Sequence, residues 1–352
     1  MAERVLGLIP KEDWLNVGLN VTRPNDPLDA LFDDQYTPNI MASWQTIAAE
    51  YQLPIMASYH AFDTEALTTF RAPVNARNIE KGLIKVKINQ SERIRALLRA
   101  GVREEQLYDY VIGDGVRLAD QVVTRSKVAK AEVLATGKMT VKENNLNITI
   151  DYGVSADQTS LTLDLSEDAD LPGQLLSIID QASAKGVALT GMLTSRKVLT
   201  KMRRNTALQT AVNGNIGAGA TVSRTRFEDW MAEEFEIGRI ITHDLTYGVE
   251  NGIGPDGLPL ITSKRYFPDN VVTFFASAPG GRLGTGLWGD PPEVDIGNFY
   301  PVEGSAVNPY VRVSQKAEWD PAVLWTKASG LFIPVLFNPG SLWVAEVPEE
   351  TE

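Results

Sequence analysis

A chain of 352 residues has room for about two domains of roughly 150 residues each, and 43% hydrophobic with 22% charged residues is a globular rather than a disordered balance. The absence of cysteine removes disulfides, thiolate nucleophiles and thiolate-bound zinc together. The formal charge of −12 argues against a protein that grips nucleic acid, because contacting phosphates needs a basic surface that releases counterions; a container that holds DNA without adhering to it would carry this sign.

The chain opens Met-Ala-Glu-Arg and soon carries Lys11, Glu12 and Asp13, with no apolar signal-peptide core, and no run of about 18 apolar residues predicts a membrane span. Residues 1–54 are punctuated by Pro10, Pro24, Pro27, Pro38 and Pro54. Each proline removes a backbone donor and biases its predecessor to extended geometry. The expectation is an extended arm with one short helix around Ile40 to Tyr51. Leu15, Val17, Leu19, Leu28, Leu31 and Phe32 in that arm need cover from elsewhere.

Residues 55–89 read as a long β-hairpin. Pro54 to Phe62 runs out and Gly82 to Ile88 returns, with Leu83, Lys85 and Lys87 alternating against Ile84, Val86 and Ile88. The tip, Arg71 to Arg77, is polar. A lone two-stranded hairpin is marginal in water, so a neighbour is implied.

Residues 104–134 form the clearest helix, with Leu107, Val111, Leu118, Val122, Ala129 and Val133 in one apolar stripe. Gly113 and Gly115 predict a bend, or a late start near Asp114. Gly137 stands where a C-terminal cap belongs. Lys138 to Lys142 and Leu146 to Ile150 then make a strand pair turning at Glu143-Asn144-Asn145.

From Leu171 the pattern becomes α/β. Leu171 to Lys185 reads as a helix, with Glu167, Asp168 and Asp170 at its positive end. Val187 to Met192 is a buried strand, Ser195 to Arg204 a basic helix, and Phe227 to Phe235 a short helix. Ile240 to Tyr247 and Leu260 to Thr262 flank a Gly/Pro-rich turn. Val271 to Ala276, Pro309 to Gln315, Leu331 to Phe337 and Ser341 to Ala345 are further strands.

The motifs that could carry chemistry have plainer readings. Gly284-Thr-Gly286-Leu-Trp-Gly289 has the glycine spacing of a dinucleotide loop, but Asp290-Pro291-Pro292 follows where a helix must open to hold the pyrophosphate, and a loop is expected. His60 and His243 lack paired zinc-ligand spacing, and no Gly-x-Ser-x-Gly elbow supports a triad on His243 and Asp244. Glu228, Asp229, Glu233, Glu234 and Glu236 read as an exposed helix face rather than a cation site. The triplets at Asn20 and Asn147 lack a secretory context. No catalytic residue, cofactor or metal site is assigned.

Three successive pieces thus display apolar surface that the chain itself does not cover, as in a polymer of interlocked subunits. The order of elements resembles the Hong Kong 97-type capsid fold, an α+β architecture. Ala131-Glu-Val-Leu-Ala-Thr-Gly-Lys-Met139, Tyr247-Gly-Val-Glu-Asn-Gly252, Arg265-Tyr-Phe-Pro-Asp-Asn270, Gly281 to Gly289 and the closing Leu331 to Val347 resemble the lambda-like major capsid protein family E of tailed bacteriophages. The resemblance implies an N-terminal arm (1–54), an extended loop (55–89), a peripheral domain (90–155 and 305–327) with a spine helix (104–135), an axial domain (156–304 and 328–347) and a tail (348–352). It implies hexamers and pentamers closing into an icosahedral head shell around double-stranded DNA, which is enclosed without specific binding. It further implies a separate scaffolding protein, a portal and a decoration protein as partners, assembly in the host bacterial cytoplasm, and no membrane.

On this reading the loop tip, with Phe70, Arg71, Arg77 and Lys81, docks on a neighbour's Glu104, Glu105 and Asp109 at the start of the spine helix. Some relatives cross-link Lys to Asn; Lys81, Lys85 and Lys87 are on offer, but nothing marks one as activated. The alternative is a soluble α/β enzyme, nucleotide-binding or hydrolytic, using Gly284 to Gly289 or His243. A tail-tube or decoration protein is a third reading, disfavoured because such chains are usually shorter and mostly β.

Overall fold

A computed structural model describes residues 26–47, 74–90, 104–214, 221–254, 259–277, 281–296, 302–304, 308–318, 320 and 323–348. In chain order the elements are α1 (Pro27–Leu31), β1 (Phe32–Tyr36), β2 (Met41–Ile47), β3 (Val74–Glu80), β4 (Gly82–Gln90), α2 (Glu104–Thr136), β5 (Lys138–Glu143), β6 (Leu146–Asp151), α3 (Ala156–Thr159), β7 (Leu161–Thr162), α4 (Leu171–Ala184) and β8 (Gly191–Thr194). There follow α5 (Arg196–Arg204), α6 (Thr206–Asn213), α7 (Arg224–Phe235), β9 (Arg239–Thr242), β10 (Thr246–Ile253), β11 (Pro259–Arg265), β12 (Val271–Phe275), β13 (Gly284–Gly289), β14 (Val302–Gly304), β15 (Arg312–Glu318), β16 (Val323–Leu336) and β17 (Leu342–Glu346). They divide into two compact units, one of Met1–Ala42, Asn78–Ala129 and Thr285–Val335, the other of Ser43–Arg77, Lys130–Gly284 and Leu336–Glu352.

The first unit is built on a six-stranded sheet in the order β1-β13-β16-β15-β14, with β4 also paired to β16. β15 and β4 both run antiparallel to β16, in registers Gln315↔Thr326 and Leu83↔Leu331. Gly330 on β16 leaves space for Trp288; a Cβ there would lie 2.9 Å from the indole. Asp26 caps α1 by accepting from the Leu28 N–H at 3.0 Å, and Lys127 of α2 reaches Asp26 at 2.9 Å and Asp29 at 3.1 Å. The proline-broken segment is therefore fastened by a buried carboxylate and by Leu28, Leu31 and Phe32, all fully buried.

The second unit carries a five-stranded sheet, order β7-β17-β12-β8-β9. β17 and β8 are antiparallel to β12, while β9 is parallel to β8 and β7 to β17. Alternation along the strands turns Val272, Phe274, Trp343 and Ala345 to one face, where they pack with Leu175 and Ile178 of α4, Val198 and Met202 of α5, and Phe227 and Met231 of α7. The intervening Thr273 donates its hydroxyl to the Leu134 carbonyl of α2 at 2.8 Å. Gly191 is required because a Cβ would meet the Phe275 ring at 2.3 Å. Asp170, Ser195, Asn205 and Ser223 cap α4, α5, α6 and α7 by accepting from backbone N–H groups one turn on.

Three expectations are corrected. Residues 41–47 are strand, not helix: β2 pairs with β3, and sheet pairing satisfies the backbone of a short Trp- and Thr-containing segment better than one or two helical turns would. The rest of that expected helix, residues 48–51, lies outside the described residues, as do the expected outgoing strand 54–62 and the tip to residue 73. The returning strand β4 pairs antiparallel with β16, while Leu83 stays exposed. Residues 284–289 form a strand with only Leu287 partly exposed, not a loop. α2 runs unbroken through Gly113 and Gly115 for 33 residues, starting well before Asp114. It stops at Gly137, whose φ of +69° and N–H bond to Val133 O at 2.8 Å close it. The β5–β6 turn is made by Asn144 and Asn145, both at positive φ (48° and 65°), the two-residue hairpin geometry asparagine tolerates.

Candidate functional site

The root of β4 is held by a polar cluster that no local motif announces. Lys81 is 2% exposed, and its ammonium donates to the carbonyls of Thr37 at 2.6 Å and Trp288 at 3.0 Å. Gly289 makes the space, since a Cβ there would lie 2.9 Å from Lys81 Nζ and 3.3 Å from Thr37 O. Beside it the Asp290 carboxylate accepts from the Tyr36 hydroxyl and, at 2.9 Å, from the Arg312 guanidinium. Burial alone would raise the Asp290 carboxyl, but Tyr36, Arg312 and Lys81 outweigh it and hold it below the usual range. Burial pulls the Lys81 ammonium down against the attraction of Asp290, and the same carboxylate pushes the Tyr36 phenol up. The Trp288 ring lies between Tyr310, at 6.3 Å, and Phe332, at 4.7 Å.

Of the expected docking residues, Phe70 and Arg71 lie outside the described residues. Glu104, Glu105 and Asp109 fall in the first two turns of α2. Arg77, on β3, donates to the Asp151 carbonyl at the end of β6. Lys81 is a correction: it faces its own sheet rather than an exposed tip, because the carbonyls of Thr37 and Trp288 give a buried ammonium the acceptors it needs.

The enzyme candidates come apart in space. His243 is 1% exposed, edge-on to the Tyr266 ring at 5.9 Å. Its neighbour Asp244 is turned to Arg265 at 2.8 Å and to the Arg196 N–H at 3.2 Å. His60 lies outside the described residues. The carboxylates of α7 and its cap are spread along the helix, Glu228 pairing with Arg224 at 2.6 Å, and no cluster of metal-ligating side chains occurs among the described residues. No helix there is long and apolar enough to cross a membrane.

What remains is surface. The β10–β11 hairpin is exposed along both strands, and Ile253 (77%), Ile261 (61%) and Leu260 (51%) stand in solvent. Elsewhere on the second unit an open groove of about 550 Å³ is lined by Arg196, Lys197, Thr200, Lys201 and Arg204 of α5 with Asp244 and Arg265. The sequence marked α5 as basic, but not that the end of β11 would add a further guanidinium.

The profile of the family described as phage major capsid protein E matches residues 85–347. The chain belongs to that family. Solved structures similar to this capsid protein include a protein of an Escherichia coli CFT073 prophage, described as its capsid protein, with 12% identity, 97% of this chain and 99% of that one covered, and a TM-score of 0.55. A phage-related protein of Bordetella bronchiseptica RB50 (10% identity, 96% and 97% covered, TM-score 0.52) and the capsid of Cyanophage A-1(L) (13%, 93% and 94%, TM-score 0.50) are similar in the same way. What they share with this chain is the Hong Kong 97-type capsid fold. No curated protein matched. The capsid protein is a structural component of a phage head shell and not an enzyme.

Proposed function

We propose that this capsid protein closes into an icosahedral shell as hexamers and pentamers, and that its extended loop couples one subunit to the next. The family match over residues 85–347 carries this reading. In it, residues 1–54 act as arm, 55–89 as extended loop, α2 as spine of a peripheral domain, and 156–304 with 328–347 as an axial domain around the ring axes. Phe70, Arg71 and Arg77 would meet Glu104, Glu105 and Asp109 of a neighbour, with opposite charge setting register more than strength. Strength would come from repeated interfaces of about 1,600 Å². The buried Lys81 fits a different part in this scheme, a fixed root from which the loop departs. Replacing residues 64–80 by a short Gly-Ser turn should yield unassembled subunits; shells of normal size in electron micrographs would overturn the loop's role.

The negative balance of the chain supports a lumen that repels DNA weakly, with repulsion screened over about 10 Å at roughly 0.1 M salt. Tight, salt-sensitive DNA binding by purified shells would contradict this. A separate scaffolding protein, a portal and a decoration protein complete the scheme, with assembly in the host cytoplasm. Co-expression that gives uniform shells only with a scaffolding partner is the expected result.

A further inference from the structure

A closed ring of identical subunits needs two different surfaces on each, because a head-to-tail contact joins one patch to another rather than a patch to itself. The second unit carries two such patches on helices that both pack against α6. On α5 the apolar Val198, Leu199 and Met202 are buried. Lys197, Lys201 and Arg204, at spacing i, i+4, i+7, form a stripe on the opposite side. On α7, Phe227 and Met231 are buried. Opposite them stand the exposed Asp229 and Glu233, again at i, i+4, with the exposed Glu236 one residue past the helix end. The basic stripe spans about 10 Å at roughly 1.5 Å rise per residue. Lys197 and Lys201 thus match Asp229 and Glu233 in pitch with opposite sign on one unit, and each pair has a further like charge, Arg204 or Glu236, toward the helix end.

We infer that the α5 stripe of one subunit docks on the α7 stripe of the adjacent copy in the ring. The inference rests on the assembly reading above and adds to it the surface that selects the neighbour. Lys197 already holds Asp269 at 3.1 Å, but that pair is half-exposed, and such pairs exchange partners at little cost. A second copy is the fitting occupant because it brings a carboxylate row of matching pitch, whereas DNA would meet a chain of net charge −12. Multiple exposed pairs of this kind set register and exclude wrong partners.

The cysteine-free chain makes a clean test. In assembled shells, Lys201→Cys combined with Glu233→Cys should oxidise to a covalent ladder ending at five and six subunits, and 1:1 mixtures of the two single variants should give only dimers. Reversing the basic stripe (K197E, K201E, R204E) should cut shell yield about tenfold or more, and adding D229K, E233K and E236K should restore most of it. Shells that form normally with reversed charge, or intact shells that never cross-link, would overturn the inference. So would normal shell yield with a loss only of retained DNA, which would assign the groove to nucleic acid. Wild-type protein that forms no shells would remove the assembly reading itself. If the reversed stripe fails to fold by circular dichroism, the cysteine pair still decides.

Discussion

Glu293 shows how one buried side chain sets a pH dependence. Its carboxylate, 9% exposed, takes Lys327 and, at 3.0 Å, the Ser329 hydroxyl. Burial opposes its charge, yet Lys327, a backbone N–H and Ser329 prevail and hold its pKa below the ordinary value. A depressed carboxylate adds stability above its unfolded pKa of about 4.3 and loses it as pH falls through the folded value. Glu293→Gln should therefore cost about 1–3 kcal/mol near neutral pH and flatten the acid side of the stability curve below about pH 5. Thermal melts across that range check both. Gly289 makes the complementary steric case. Gly289→Ala drives a methyl into Lys81 Nζ and the Thr37 carbonyl, and should destabilise by about 1–3 kcal/mol in denaturant titrations. Both glycine and lysine were visible in the sequence, as a loop and a tip; only residues more than two hundred positions apart reveal them as one anchor.

At the scale of elements, α2 separates two uses of glycine. Gly113 is exposed in the helix interior, and a methyl added there would meet nothing within 4 Å. Gly113→Ala should stabilise by about 0.5–1 kcal/mol. Gly137 ends the same helix at φ +69°, against Val154 at 2.8 Å. Gly137→Ala should destabilise by at least about 1 kcal/mol, so equilibrium unfolding of the two variants should shift in opposite directions. The helix, its cap and the β5–β6 hairpin were legible because their signals are local: a stripe of period 3.6, a glycine past the last turn, two asparagines between alternating strands. β2 and β13 were not, because what makes them strands is the hydrogen bonding of β3 and the sheet around β16. The caps of α4 to α7 lie between these cases, set by a single polar residue whose role the following apolar pattern discloses.

For the whole molecule, folding leaves apolar and charged surfaces that are separate in kind. The five-stranded unit closes its own core on Phe274, Trp343 and four helices, while the β10–β11 hairpin keeps Ile253 and Ile261 outside. A subunit whose surfaces are completed by copies of itself gains stability by mass action. Assembled shells should therefore melt above dissociated subunits, and calorimetry near the dissociation point should show a midpoint that rises with protein concentration.

By itself the sequence determined the long helix, the α/β character after residue 171 and, through segments such as Arg265 to Asn270, the capsid family. Those features are written in local periodicity, composition and short motifs. Tertiary structure alone decided that Lys81 is an internal anchor, that Gly284 to Gly289 is a strand, and that Asp244 turns to Arg265. Each of these depends on which distant backbone supplies an acceptor, a strand partner or a wall. That information resides in contacts between residues far apart in the chain, and no local pattern encodes it.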